Sequence, residues 1–501
     1  MSDTKDLVFL AVDLGAESGR VVAGHLNGER ITLDEVHRFP NGPVRVQDYL
    51  HWDVLRLWSD IKVGLTKAAQ AYGDRIAGIG LDTWGVDFGL LASDDTLLGN
   101  PFHYRDPRTD GVMDRVFERI PRGQIFQTTG IQFMQLNTLY QLFAMVEAKS
   151  PILSAARTFL MMPDLLNFWL TGHKSNEFSV ATTTQFYNPV TSTWAYDLLD
   201  ELGIPTRLFG QGRGRLVMPG TVLGLLSPSV AADTGLPQVP VIAPATHDTA
   251  SAVAATPMEP ENAIYISSGT WSLIGVEVKV PIINEEMLAC NFTNEGGVDG
   301  TFRLLKNIMG LWLVQECRRE WQRSGDDYDY DALTQMADEA PAFGAFIAPG
   351  DDSFLAPGDM QSRIAAFCER TGQPAPESRG AMLRTILESL ALEYRWVVEK
   401  LDELTGKGLE TIHVIGGGSQ NMLLNQFTAN ATNRKVVIGP VEATALGNVL
   451  VQAIALGHIR NIHEGRWIIG QSSALRAVSP HDKDSWDAAY ERYVKIRSAI
   501  P

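Results

Sequence analysis

Four short segments bring together residue types that can move a phosphoryl group or a proton. The first is DLGAESGR at 13–20, where an apolar run ends on Asp13 and Gly15, Ala16 and Gly19 precede Arg20. Small residues let backbone amides approach an anion, and arginine adds charge and a forked donor. Asp13 closes a buried strand, where a carboxylate is costly unless it meets a cation or amides. The segment reads as a phosphate-holding hairpin with Asp13 reaching Mg2+ directly or through water. It also reads as a tight hairpin whose aspartate caps its own turn. The second segment, SSGT at 267–270, repeats the design with hydroxyls on Ser268 and Thr270 and a bare amide at Gly269. Two such turns favour the phosphate reading over the plain one.

The third segment, ATHDTASAV at 245–253, follows an extended run ending at Pro244. Small residues then predict a helix starting near Thr246, with Asp248 and Thr249 in its first turn. A carboxylate there would stay ionised at pH 7 and could take a proton from a substrate hydroxyl. First-turn acids also serve only to cap helices, and spacing alone favours that role. His247 beside it reads as an orienting or hydrogen-bonding group. The fourth segment, LDTWGVDFGLL at 81–91, interrupts a strand with Thr83–Trp84–Gly85. An aromatic beside a bare glycine suits the floor of a sugar site, and core packing of Trp84 suits it equally. Tyr104–Arg105–Asp106 and Lys306–Asn307 are polar groups in apolar surroundings, either site residues or surface turns.

The elements that must position these residues follow from periodicity. Val8–Val12, the turn 13–20 and Val21–Leu26 form a hairpin; Ala263–Ile266, the turn 267–270 and Trp271–Val278 form another. Two hairpins of one design half a chain apart predict an internal duplication. A third glycine element differs: strand Thr411–Ile415, then Gly416–Gly418, then a helix over 419–432 capped by Ser419. That is how a backbone comes close to a nucleotide. The i, i+3, i+4 spacing from Met382 to Leu401 predicts a core helix over 380–402. Gly203–Pro244, with GQGRGR at 210–215, reads as the irregular end of a first domain. The expected division is 1–243 and 244–501, consistent with a chain of 501 residues when single cores stop growing at roughly 250–300.

Composition narrows the function classes. The net charge of −17 argues against nonspecific nucleic-acid or anionic-membrane binding. Three scattered cysteines, Cys290, Cys317 and Cys368, offer neither a disulfide framework nor a zinc site and fit a reducing compartment. Leu7–Val12 is too short for a signal-peptide core, so the expected location is cytoplasmic. There is no G-x-x-x-x-G-K-[ST] loop, and GQGRGR does not fit a dinucleotide fingerprint.

The residues also resemble a known family. The two hairpins, the GGG loop and ATHDTASAV are similar to the FGGY carbohydrate kinases. So are DTWGVDF (82–88), YRDPRT (104–109), GIQFMQLNTLYQL (130–142), MPD (162–164), TNEGG (293–297), KNIMGLWL (306–313), GGGSQN (416–421) and GPVEATALGN (439–448). The resemblance implies an α/β protein of two duplicated actin/hexokinase-like, ribonuclease H-like domains with an interdomain cleft. It implies a monomer or small homo-oligomer that uses ATP and Mg2+ to phosphorylate a ketose, L-rhamnulose, at its C1 hydroxyl. Another deoxyketose such as L-fuculose is the alternative substrate. From a different class, an actin-fold ATPase acting as chaperone or filament protein is a further alternative. By the same resemblance Asp248 is the catalytic base, and Gly85, His247, Thr249 and Asn307 join it in binding sugar. Ala16, Glu17, Ser18, Gly19, Arg20, Thr270, Gln315 and Gly417 belong to the nucleotide site, and Asp13 to the metal. Glu17 departs from the family pattern, which carries serine there. Its carboxylate would repel a polyphosphate, so either its amide does the binding or it joins the outer shell of the metal.

Overall fold

The computed structural model describes residues 7–210 and 216–498; residues 211–215 of the GQGRGR segment lie outside the described residues. By internal contacts the chain divides into two units. One comprises Met1–Pro257, Glu277–Leu304 and Ala443–Ser473; the other comprises Met258–Val276, Leu305–Glu442 and Ala474–Pro501. Four helices bear on function: α1 (Asp248–Ala254), α2 (Arg379–Thr405), α3 (Met422–Thr432) and α4 (Ala443–Ala455).

The first unit is built on a six-stranded sheet of β1 (Leu7–Leu14), β2 (Ser18–Asn27), β3 (Arg30–Pro40), β4 (Ile76–Thr83), β5 (Thr221–Leu225) and β6 (Pro240–Ala243). Their spatial order is β5-β6-β4-β1-β2-β3. β1 pairs antiparallel with β2 and parallel with β4; β6 pairs parallel with β4 and antiparallel with β5. β1 (LVFLAVDL) is buried along nearly its whole length, which is why its sequence is a continuous apolar run rather than an alternating one. Helix α4 lies close on this sheet because the strands offer glycine. A Cβ on Gly80 would stand 2.3 Å from Asn448 Oδ1 and 2.7 Å from Gln452 Nε2. Gln452 Nε2 in turn donates to the Leu10 carbonyl at 3.0 Å. α1 packs on α4 through Ala250, Ala254, Ala445 and Ala453, small residues that allow close approach.

The second unit repeats the plan. β7 (Ala263–Ser268), β8 (Trp271–Val278), β9 (Thr411–Ile415), β10 (Lys435–Ile438) and β11 (Arg476–Val478) lie in the order β8-β7-β9-β10-β11. From β8 outward the pairings run antiparallel, parallel, parallel, antiparallel, as they do from β2 to β5 in the first sheet. The expected duplication is thus present in strand direction as well as in the hairpins. The edge strands correspond by position only, since β5 precedes β6 in the chain whereas β11 follows β10. α2 runs longer than its apolar spacing predicts, from the Ser378 cap, whose hydroxyl accepts from Ala381 N at 3.1 Å, to Gly406 at φ +63°.

Two expectations are corrected. Among its described residues Gly203–Pro244 is not irregular: besides β6, the extended run expected before Pro244, it holds β5 and the helix Pro228–Thr234. The helix after the GGG loop is capped by Asn421, whose side chain accepts from Leu424 N at 2.9 Å, while Gly417–Gln420 form a 3-10 turn that includes Ser419. Internal contacts group the chain discontinuously, with 443–473 joining the first unit. β6 completes the first sheet and α1 follows it at once to pack on α4, so Asp248 belongs to the first unit.

Candidate active site

Strand register brings the first carboxylates together. Asp13 lies opposite Arg20 on β2 and beside Asp82 on β4, and paired residues share a face. Arg20 Nη2 donates to Asp13 Oδ2 at 2.5 Å. Asp82 is fully buried; its Oδ2 accepts from Asn448 Nδ2 at 2.6 Å, and its Oδ1 has no hydrogen-bond partner. Burial, with the charge on Asp13 next, pushes the Asp82 carboxyl well above the ordinary range. Asp248 opens α1 with its side chain 28% exposed. Thr249 donates to its Oδ1 twice, from the backbone N at 2.5 Å and from Oγ1 at 3.1 Å. Burial and then the Asp13 charge push the Asp248 carboxyl up to about 7. Partial removal from water and a like charge thus oppose the helix dipole, which contributes only ~0.3–1 kcal/mol.

His247 stands between this acid and a buried ion pair. Arg303, with no exposure, donates from Nη2 to His247 Nδ1 at 3.0 Å and to Glu295 Oε2 at 3.1 Å. Burial and the Arg303 charge hold the His247 imidazole well below its ordinary value, so it is neutral. Because Arg303 donates to Nδ1, the proton is on Nε2, which lies 3.5 Å from Asp248 Oδ1. The loop is tied down from behind. Glu177 Oε2 accepts from Thr246 N at 3.2 Å and Thr246 Oγ1 at 2.6 Å, and Ser179 Oγ accepts from His247 N at 3.1 Å. Thr83 N donates to the Thr246 carbonyl at 2.9 Å, which sets the end of β4 beside the acid.

Beyond Thr83 the chain turns through Trp84, Gly85 and Val86. A Cβ on Gly85 would stand 3.0 Å from Thr183 Cγ2 and Oγ1, so glycine suits the turn. Trp84 is buried at the end of an aromatic column. Ring centroids are 4.0 Å apart for Trp84–Trp52, 4.2 Å for Trp52–His103 and 4.5 Å for His103–Tyr104. Asp106 is a structural acid, accepting from Leu50 N at 2.6 Å and Arg108 N at 3.0 Å. Sequence reasoning did not single out Asp82, Asp87, Asn448, Glu295 or Arg303. Several lie inside family-like motifs, DTWGVDF, TNEGG and GPVEATALGN, and that was the one signal available.

The second unit holds the other candidates. At the β7–β8 turn Gly269 N donates to the Trp271 carbonyl at 2.9 Å. The Thr270 carbonyl accepts from both Gly310 N and Trp312 N at 3.1 Å, seating the helix Trp312–Arg323 that carries Gln315. The GGG loop closes on the same hairpin: a Cβ on Gly418 would stand 2.3 Å from Ser268 Oγ, whereas one on Gly417 would meet nothing within 4 Å. Ser268 Oγ and Gln315 Oε1 are buried without hydrogen-bond partners. Thr270, Gln315 and Gly417 thus gather around one hairpin. Asn307, on the strand Phe302–Met309, falls in this unit too, and not with Gly85, His247 and Thr249. In the first hairpin Glu17 is exposed at the tip and Gly15 N donates to the Ser18 carbonyl at 2.9 Å. Among the described residues no group of three or more His, Cys, Asp or Glu could hold a metal ion, and no helix is long and apolar enough to cross a membrane.

Residues 8–255 match the N-terminal domain, and residues 264–456 the C-terminal domain, described as those of the FGGY family of carbohydrate kinases. The rhamnulokinase of Bacteroides thetaiotaomicron is 47% identical over 482 residues, 96% of this chain and 98% of that protein. The rhamnulokinase of Oceanobacillus iheyensis is 44% identical over 466 residues, covering 93% and 97%. Among solved structures, gluconate kinase from Lactobacillus acidophilus aligns with a TM-score of 0.81 at 18% identity, covering 99% of this chain and 98% of that one. Plasmodium falciparum glycerol kinase with ADP gives 0.75 at 15% identity, covering 99% of both. At these identities the structural likenesses establish the fold alone.

Proposed function

The chain belongs to the FGGY family of carbohydrate kinases, and from that premise we propose that it transfers the γ-phosphoryl group of ATP to the C1 hydroxyl of L-rhamnulose. The products are L-rhamnulose 1-phosphate and ADP, and the place is cytoplasmic L-rhamnose catabolism. The similarity to rhamnulokinases over nearly the full chain supports the substrate. The observation that carries the chemistry is the setting of Asp248, an acid at a helix start addressed on one oxygen by Thr249 and His247, with its carboxyl pushed up to about 7 by burial and the Asp13 charge. A general base works best with a proton affinity near the operating pH.

Thr249 and His247 both address Oδ1 of Asp248, which leaves Oδ2 to take the hydroxyl proton. Neutral His247, with its proton on Nε2, orients that carboxylate without neutralising it. Gly85 and the Trp84 turn form the sugar side, together with Thr249; Asn307 is proposed as a further sugar-binding residue. Ala16, the Glu17 amide, Ser18, Gly19, Arg20, Thr270, Gln315 and Gly417 serve ATP. Arg20 acts through charge, its Nη2 being engaged by Asp13.

Mg2+ fits Asp13 and the partnerless Oδ1 of Asp82. It binds through few carboxylates, several waters and substrate phosphates. When bound, it neutralises phosphate charge during transfer.

The test is ADP release with MgATP over a panel of ketoses. L-Rhamnulose should give the highest kcat/KM. L-Fructose, with a C6 hydroxyl, should follow by no more than roughly 10²-fold, because an apolar niche rejects an added hydroxyl weakly. A clear preference for L-fuculose would transfer the assignment to that sugar, and ADP release indifferent to sugars would refute the reading.

A further inference from the structure

We infer that Asp87 is a positioning residue for sugar selection: its carboxylate fixes the Trp84–Val86 turn that presents Gly85 to the ketose. The inference rests on the ketose-site reading above and names a residue that the reading does not use.

Asp87 is fully buried; among the described residues no lysine or arginine is ion-paired to it, and Arg108 reaches it only through Gln141 and by charge. A buried carboxylate without an ion pair is costly, so a position that only filled space would hold an apolar side chain. Three donors converge on it instead. Trp52 Nε1 donates to Oδ2 at 2.6 Å, Trp84 Nε1 to Oδ2 at 3.0 Å, and Gln141 Nε2 to Oδ1 at 2.9 Å. Two of the donors are the stacked indoles of the aromatic column, and one of them directly precedes Gly85.

The turn is held at both ends and stressed in the middle. At its start Thr83 N bonds the Thr246 carbonyl, one residue from His247. At its end Asp87 N donates to the Gly85 carbonyl at 2.9 Å, and Met162 N donates to the Asp87 carbonyl at 2.9 Å. Between them Val86 has φ +66°, an outlier for a β-branched residue. Its N donates to Thr183 Oγ1 at 3.0 Å and its carbonyl accepts from Thr138 Oγ1 at 2.6 Å. Such strain persists only where surroundings over-determine it, and it clusters at functional sites. Asp87 is the charged member of those surroundings and the one that couples the turn to the aromatic column.

Asparagine tests this with almost no change in volume. Whichever way its amide lies, an NH2 meets either Gln141 or both indoles. Gln141 cannot simply turn over, because its Oε1 accepts from Arg108 Nη2 at 2.7 Å. Asp87→Asn should raise KM for L-rhamnulose by about tenfold, the cost of one mispaired buried hydrogen bond. The kcat and the KM for ATP should stay within about threefold, since the nucleotide groups are untouched. Trp52→Phe keeps the ring and deletes one donor, and should raise the ketose KM by a smaller factor; it also decides the matter if the asparagine variant does not fold. A folded Asp87→Asn or Trp52→Phe enzyme with unchanged ketose KM, or with both KM values raised alike, overturns the inference alone. A wild type that phosphorylates no ketose overturns the functional reading and this inference with it.

Discussion

Replacing Gly447 by alanine sets two magnitudes against each other. Gly447 lies inside α4, where alanine is favoured over glycine by roughly 1 kcal/mol of helix propensity. Yet a Cβ there would stand 1.7 Å from the Ser251 carbonyl oxygen, half the 3.4 Å at which ordinary contact begins, with Ser251 C at 2.5 Å and Cα at 3.2 Å. These atoms are backbone, so no rotamer change relieves the overlap. α1 must shift by an ångström or more. Overpacking typically costs ~1–3 kcal/mol, and a Cβ driven into backbone that cannot rotate away belongs at the upper end, so the clash wins. Because α1 begins at Asp248, the same shift displaces the acid. A misplacement of about 1 Å can cost roughly 10²-fold in rate. Thermal unfolding followed by circular dichroism, with kcat in an ADP-release assay, reads both effects. Gly344→Ala, where a Cβ would meet nothing within 4 Å, is the control. A Gly447→Ala enzyme as stable and as fast as the control would refute the claim that α1 and α4 are fitted to hold Asp248.

Four further outcomes follow. With the Asp248 carboxyl pushed up to about 7, kcat/KM should rise tenfold per pH unit below about 7 and level off above it, because only the ionised form accepts a proton. The same raised value means that the folded chain holds this proton more tightly than the unfolded one. The resulting stabilisation is full below about pH 4 and is lost as pH rises through 7, so the thermal midpoint of Asp248→Asn should lose that part of the wild-type slope. Arg303→Met removes the cation shared by Glu295 and His247 and should cost about 3–5 kcal/mol, seen as a lower midpoint; an unchanged midpoint would deny the buried pair its structural role. Ser268→Ala deletes a buried hydroxyl with no partner. It should leave the midpoint unchanged while raising the KM for ATP by roughly tenfold, and the reverse pattern would remove Ser268 from the nucleotide site.

What could be read from the chain was what local chemistry dictates. Small residues between two apolar runs left no other reading of 13–20 and 267–270 than hairpins. The apolar spacing from Met382 to Leu401 could belong only to a buried helix. What stayed hidden depends on residues far apart in the chain. Asp82 and Asn448 meet across 366 positions, and the Arg303 bond to His247 spans 56. No local pattern marks either pair. The return of 443–473 to the first unit is hidden for the same reason, and with it the unit to which Asp248 belongs. Prolines and glycines in 203–239 concealed β5, since edge strands carry weak apolar signals, whereas β6 is the extended run that the sequence showed ending at Pro244. Ser419 and Asn421 are both competent caps, and the 3-10 turn Gly417–Gln420 leaves the role to Asn421.

The most direct test is the turnover of Asp248→Ala on L-rhamnulose with MgATP, on protein shown to be folded. A base that accepts the C1 proton predicts kcat lower by ~10²–10⁴ with sugar KM within a few-fold of wild type. Turnover close to that of the unaltered enzyme would contradict the account at its centre.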